Sequence, residues 1–145
     1  MPLVGDRDEI AALVHRYAEL LDGGDVEGVI GMFSRATWRS AATGAVLRTP
    51  DELRAVYSAL VPEDGPIRTR HLMHNLIVEL DDGADEAAAR CSYTVLEGDA
   101  PGAPVRILLV GRYEDTYARD ADGWYLTDRV FHVDLDAMPP RAVAS

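Results

Sequence analysis

Apolar positions follow a helical rhythm in the first part of the chain and a strand-like one after Ile67. At about 100° per residue, Ile10, Leu13, Val14, Tyr17, Leu20 and Leu21 share one stripe, which predicts an amphipathic helix. Asp6 followed by Glu9 reads as a capping box that opens it. Gly23-Gly24 stops it, because glycine tolerates the left-handed conformation of a C-cap. Asp25 then caps a second, shorter helix through Phe33 that carries Val26, Val29 and Ile30. A hairpin follows, Thr37–Ala42 against Ala45–Leu47, turning at Thr43-Gly44. Thr49-Pro50-Asp51-Glu52 is a strong helix start, with Thr49 as N-cap, Pro50 at N1 and Glu52 at N3. This third helix runs to about Leu60, and Pro62–Pro66 ends it.

Four long segments rich in β-branched and aromatic residues come next: Thr69–Leu80, Glu86–Leu96, Val105–Arg119 and Trp124–Asp134. Short turn clusters separate them, so consecutive strands pair antiparallel; a parallel return needs a long crossover. Strands of this length coil. The expected fold is therefore α+β, with N-terminal helices packed in the concave face of a strongly curved mixed or antiparallel sheet and a pocket left between them. Residues 1–136 form one domain in this reading, and 137–145, with Pro139-Pro140 and little to pack, form a mobile tail.

Composition narrows the functional classes. With 25 acidic against 14 basic residues the chain carries −11, so a nucleic-acid partner, which needs a basic face, is not expected, nor is an anionic membrane. Cys91 is the single cysteine, which excludes an intrachain disulfide. The start lacks a basic and an apolar signal region, no segment reaches the about 18 apolar residues of a membrane span, and the expected location is the cytoplasm. No paired-cysteine or His-rich metal motif, Walker loop, dinucleotide fingerprint or G-x-S-x-G elbow occurs, so neither a metal nor a cofactor is expected.

Among single residues, Asp22 is distinctive. It lies at the edge of the apolar stripe and in the last helical turn, where the helix dipole is unfavourable to a carboxylate. Two readings stand: a proton-exchanging group, or a solvated aspartate that starts the turn with Gly23-Gly24. His71 and His74 lie three apart, so in a strand without a bulge they face opposite sides. His71 would share a face with Met73, Asn75, Ile77 and Glu79; His74 would share the apolar face of Leu72, Leu76, Val78 and Leu80 as a satisfied core or interface residue. Tyr17, at mid-stripe, is either core or a pocket hydroxyl. Arg112 and Arg129 interrupt apolar strands and should pair with carboxylates such as Asp115 or Asp128.

The chain also resembles the SnoaL-like group of the nuclear transport factor 2-like superfamily, small cone-shaped α+β proteins. The resemblance is carried by the helix Ile10–Asp25, by Thr69-Arg70-His71 with Asn75, and by Gly111-Arg112-Tyr113-Glu114-Asp115, Asp122-Gly123-Trp124 and Asp128-Arg129. The helix is most similar to that of scytalone dehydratase and bile acid 7α-dehydratase, which remove water from cyclic substrates with a His–Asp pair and a tyrosine, without metal or cofactor. The resemblance implies Asp22 and His71 as the pair and Tyr17 as the helper, with Trp38, Tyr57, Met73, Asn75, Tyr93 and His132 as candidate substrate contacts. Those dehydratases carry a further His or Asp on the second long strand, where this chain reads Arg90-Cys91-Ser92-Tyr93-Thr94. The expected function is a lyase or isomerase acting on a small apolar oxygenated ring. The alternatives are a non-catalytic ligand-binding or assembly module, and a cyclase or epoxide-opening enzyme with Asp22 as general acid. Apolar outer strand positions lead us to expect a homodimer or homotrimer.

Overall fold

The computed structural model describes residues 5–62 and 68–137. Three helices, α1 (Asp6–Asp22), α2 (Val26–Met32) and α3 (Pro50–Ser58), accompany six strands: β1 (Thr37–Ser40), β2 (Val46–Leu47), β3 (Thr69–Glu79), β4 (Glu86–Glu97), β5 (Arg106–Asp120) and β6 (Gly123–Asp136). They form one open, mixed sheet of order β2-β1-β6-β5-β4-β3. β3 to β6 are an antiparallel meander, as their short turns require, while β1 lies parallel to β6, Trp38 opposite Arg129. No described helix is long and apolar enough to cross a membrane. The expected tail from Met138 onward lies outside the described residues.

Helix starts and stops follow local chemistry, with one correction. α3 has the full capping box, Thr49 Oγ1 accepting from the Glu52 amide and the Glu52 carboxylate accepting from the Thr49 amide. Asp25 caps α2 through the Gly28 amide at 2.9 Å, and Gly24, at φ 74°, supplies the left-handed turn between α1 and α2. Asp6, however, is not a cap: Gly5 holds that position without a side-chain bond, and Asp6 is the first helical residue. Its carboxylate is taken by distant donors, Arg119 at 2.9 Å and the Trp124 indole at 3.1 Å, which tie α1 to the β5–β6 hairpin.

The expected stripe of α1 is the one buried, with Ile10, Val14, Tyr17 and Leu21 inside. They pack on the inner faces of β4 (Ala87, Ala89, Cys91, Tyr93, Val95) and β5 (Tyr113, Tyr117), and on Trp124 and Leu126 of β6. Register breaks between His74 and Ile77, Val95 and Leu96, Val110 and Gly111, and Thr116 and Tyr117 sharpen the local twist that bends such a sheet. The first of these corrects the face assignment of β3. Asn75 adopts φ 55°, and inward-facing residues switch from odd to even there: His71 and Met73 before the bulge, Leu76 and Val78 after it. Leu72 and Ile77 are consequently exposed, at 44% and 47%.

β3 is a sheet edge, and α1 side chains cover its open backbone groups at both ends. Arg7 donates to the carbonyls of Val78 and Leu80. At the other end Asp22 accepts from the His71 amide at 2.8 Å.

Candidate active site

Asp22 is the last residue of α1, and His71 is the third of β3, so packing α1 along the edge brings the two together. Asp22 Oδ2 accepts from the His71 amide, and Oδ1 lies 2.6 Å from His71 Nδ1. The pair is nearly enclosed, with side-chain exposures of 12% for His71 and 7% for Asp22. An ionised carboxylate only accepts, so Nδ1 must carry the proton and a neutral ring keeps its lone pair on Nε2. The two donors from His71 also answer the unfavourable placement of a carboxylate at a helix C-terminus.

Tyr17 lies five residues before Asp22, about 7.5 Å along the helix axis. It is buried at the centre of an aromatic floor, in edge contact with Phe33, Tyr57 and Tyr113 at centroid distances of 6.3, 6.3 and 5.8 Å. Its hydroxyl is 3.0 Å from that of Tyr57, which also accepts from the Trp38 indole at 3.1 Å. Burial raises the Tyr17 phenol above its ordinary range, opposed by the charge of Arg129 and by the hydroxyls of Tyr57 and Tyr113. Burial drives Tyr57 and Tyr113 higher still.

Arg129, which the sequence marked only as a partner for a carboxylate, becomes a functional candidate through its surroundings. It pairs bidentately with Asp115, one of the two carboxylates anticipated for it, through Nε and Nη2 at 2.8 Å each; both side chains are 1% exposed. Tyr117 donates to the same carboxylate at 2.8 Å. The guanidinium carbon stands 4.6 Å from the Tyr17 ring centroid and 4.3 Å from that of Tyr113, and Nη1 is buried without a partner. A charged residue inside an apolar strand was the available signal; its place against Tyr17 required the tertiary fold. Arg112 instead pairs with Asp134, at 2.9 Å on the exposed face, and Asp128 is taken by Arg39.

The remaining candidates divide between the two faces of the sheet. Met73 and Tyr93 lie opposite each other on the inner face. Tyr93 stacks on Tyr113 at 4.3 Å and donates to the His132 carbonyl at 2.8 Å. Asn75 is exposed, in a cleft of about 210 Å³ with Arg90, Ser92, Arg112 and Glu114. His132 is paired in register with Arg112, its Nε2 3.3 Å from Glu114 without hydrogen-bond geometry, so Asn75 and His132 are not brought to the dyad. His74 bonds Thr94 Oγ1 at 3.0 Å, the satisfied role anticipated for it. Where the dehydratases carry another His or Asp, the inward residues here are Cys91 and Tyr93. Burial pushes the Cys91 thiol up to about 11 and the Tyr93 phenol up to about 12, so neither exchanges protons near neutrality.

Five clefts open among the described residues without Tyr17, Asp22 or His71 in their walls. The rings of Tyr17, Phe33, Tyr57, Tyr113 and Phe131 pack against one another between α1 and the sheet. Among the described residues no three His, Cys, Asp or Glu side chains converge on a possible metal position.

Comparison with known proteins places this arrangement in context. The family model described as a SnoaL-like domain matches residues 3–130. No curated protein matches the chain. Three similar solved structures come from Novosphingobium aromaticivorans. A nuclear transport factor 2-like protein with a cystatin-like fold is 24% identical, with a TM-score of 0.71 over 88% of this chain and 81% of that one. A protein provisionally named scytalone dehydratase is 18% identical, with a TM-score of 0.69 over 90% of this chain and 87% of that one. The beta subunit of a protein provisionally named an aromatic-ring-hydroxylating dioxygenase is 19% identical, with a TM-score of 0.69 over 90% of each chain. At these identities all three likenesses concern the fold alone.

Proposed function

The chain belongs to the SnoaL-like domain family, and on that premise we propose that it is a cofactor-independent lyase or isomerase acting on a small, largely apolar, oxygenated ring compound. The observation that carries this reading is the Asp22 clamp, which binds both the amide and Nδ1 of His71 and leaves Nε2 as the basic atom. Nε2 takes a proton from a carbon beside a carbonyl. The C–H electron pair becomes the new C=C bond, and the carbonyl pair moves onto oxygen, giving an enolate. Asp22 stabilises the imidazolium, and Tyr17 donates its hydroxyl to the enolate oxygen. The Arg129 charge over the Tyr17 ring favours the same charge development. When the enolate collapses, a hydroxyl beta to the original carbonyl leaves as water with the imidazolium proton. Without such a group, that proton returns to the gamma carbon of an unsaturated ketone and the double bond has moved. General base catalysis of this kind contributes about 10²–10⁴-fold.

Cyclic hydroxyketones, followed for water loss, and β,γ-unsaturated cyclic ketones, followed for conjugation, test the reading. His71→Ala and Asp22→Asn should each lose at least about 10²-fold in turnover; full activity in both variants overturns it. Asp22 spends both oxygens on His71, which argues against the reading in which it protonates an epoxide or alkene directly.

A second reading, a ligand-binding or assembly module of the same fold, is favoured by the close ring packing around Tyr17. It predicts no turnover of any cyclic ketone. Both readings include self-association through the outer sheet face, where Leu72, Ile107 and Leu135 are 44%, 55% and 67% exposed. Light scattering at micromolar concentration should show a dimer or trimer, and a monomer would count against that part.

A further inference from the structure

We propose that the cleft between α1, α2 and the start of β6 is a second ligand site, separate from the dyad, which takes one small apolar ring carrying a single carboxylate. The cleft holds about 210 Å³, room for one such ring, and Leu13, Gly31, Met32, Arg35, Trp124 and Tyr125 are among its walls. Leu13 lies nine residues before Asp22, about 13.5 Å along α1, so the two sites are apart. A chain of net charge −11 repels anions from most of its surface. Of the five clefts among the described residues, the other four each have an aspartate or glutamate in the wall, and this one has none. Its one charged wall residue is Arg35. Arg35 donates to Asp120 through Nη1 at 2.9 Å, and its guanidinium lies 3.4 Å over the Tyr125 ring. The plane of the guanidinium is thereby held, while Nε and Nη2 keep N–H donors in the fork that suits a second carboxylate.

The glycines of α2 point the same way. A β-carbon at Gly28 would stand 2.6 Å from the Asp25 carboxylate and 2.9 Å from Leu20, so the cap leaves room only for glycine. A β-carbon at Gly31 would meet nothing within 4 Å, and Gly31 does not have a positive φ. Glycine inside a helix is less favourable than alanine, and neither a close contact nor the backbone conformation offsets that at Gly31. Its missing side chain instead leaves the α2 wall of the cleft open, so that a ring can approach the helix backbone. Leu13 and Met32, both half-buried, supply apolar sides. One guanidinium edge beside apolar walls matches one negative charge on one ring; it does not match a cation or a polyanion.

Benzoate and its uncharged counterpart benzamide are the probes, titrated into the full chain at about 0.15 M salt, where charges more than about 8 Å away are largely screened. The readout is the pair of indole N–H signals in proton–nitrogen NMR, assigned with Trp38→Phe: Trp124 borders the cleft, and Trp38 bonds Tyr57 in the interior. Benzoate should shift the Trp124 signal saturably, leave Trp38 unmoved, and bind at least about tenfold more tightly than benzamide. Arg35→Gln should cancel that preference. Gly31→Leu, which fills the cleft and favours the helix, should remove the Trp124 shift while the spectrum stays that of the folded chain. No saturable shift at Trp124, equal affinity for the two probes, or a benzoate shift that survives Gly31→Leu overturns the site. Should Gly31→Leu not fold, a benzoate preference that persists in Arg35→Gln overturns it equally. A shift at Trp38 alone would put benzoate beside Tyr57 and overturn this site without touching the lyase reading, which the His71 and Asp22 variants decide. Light scattering reads the remaining occupant: a change of oligomeric mass in Gly31→Leu would mean that the cleft seats a second copy rather than a small acid, and the proposal fails.

Discussion

Asp22 and Asp115 are both enclosed carboxylates facing a nitrogen base across the same fold, and they are built to different ends. Asp115 meets Arg129 through two parallel bonds at 2.8 Å, takes a third from Tyr117, and both partners of the ion pair are 1% exposed. Asp22 meets a single residue through its amide and one ring nitrogen, and His71 keeps 12% of its side chain exposed. The first is a fully buried ion pair whose loss strands a charge. The second orients a titratable ring and leaves its other nitrogen open. A buried carboxylate is therefore not a site by virtue of burial; what its partner retains for other use decides the matter.

The largest expected effect breaks the first of these. Asp115→Ala should cost about 3–5 kcal/mol in urea denaturation, because Arg129 is left charged in a dry interior. Asp22→Asn keeps an acceptor for the His71 amide and should cost less than about 1.5 kcal/mol, while abolishing most turnover. Comparable stability losses in the two variants would erase the distinction.

Next is the alkaline response of the aromatic floor. Burial raises the Tyr17, Tyr57 and Tyr113 phenols above their ordinary value of 10.0. The unfolded chain then releases these protons first, so stability is fully present below about pH 10 and falls as pH rises above it. Tm measured against pH should drop on that side, and the drop should be shallower in Tyr57→Phe. A smaller effect tests how α3 presents Tyr57. Thr49→Ala removes the cap that accepts from the Glu52 amide and should cost about 1 kcal/mol, without selectively affecting the dyad.

Much of the frame was legible because it is locally encoded. The α1 stripe, the Thr49–Glu52 box and the turn at Gly24 each depend on residues a few positions apart. Asp6 misled for the converse reason: Arg119 and Trp124, more than a hundred positions away, take the carboxylate that would otherwise cap. The β3 bulge hid behind an apolar alternation that continues through it, so the even positions read as one face. Its only local sign was Asn75, a residue type that tolerates the left-handed region. The parallel placement of β1 on β6 has no short-range signature. At the site, Asp22, His71 and Tyr17 were reached through resemblance together with their places on the helix and strand. The central position of Arg129 depends on which rings close over it, and that is a property of the packed sheet.

Nitrogen-15 NMR of the His71 ring tests the Asp22 clamp most directly. At a pH where the imidazole is neutral, the expected spectrum has a protonated Nδ1 and a bare, pyridine-like Nε2, and Asp22→Asn should disturb that preference. A neutral ring carrying its proton on Nε2 in the unaltered protein would contradict it, since the atom proposed as the base would have no lone pair to offer.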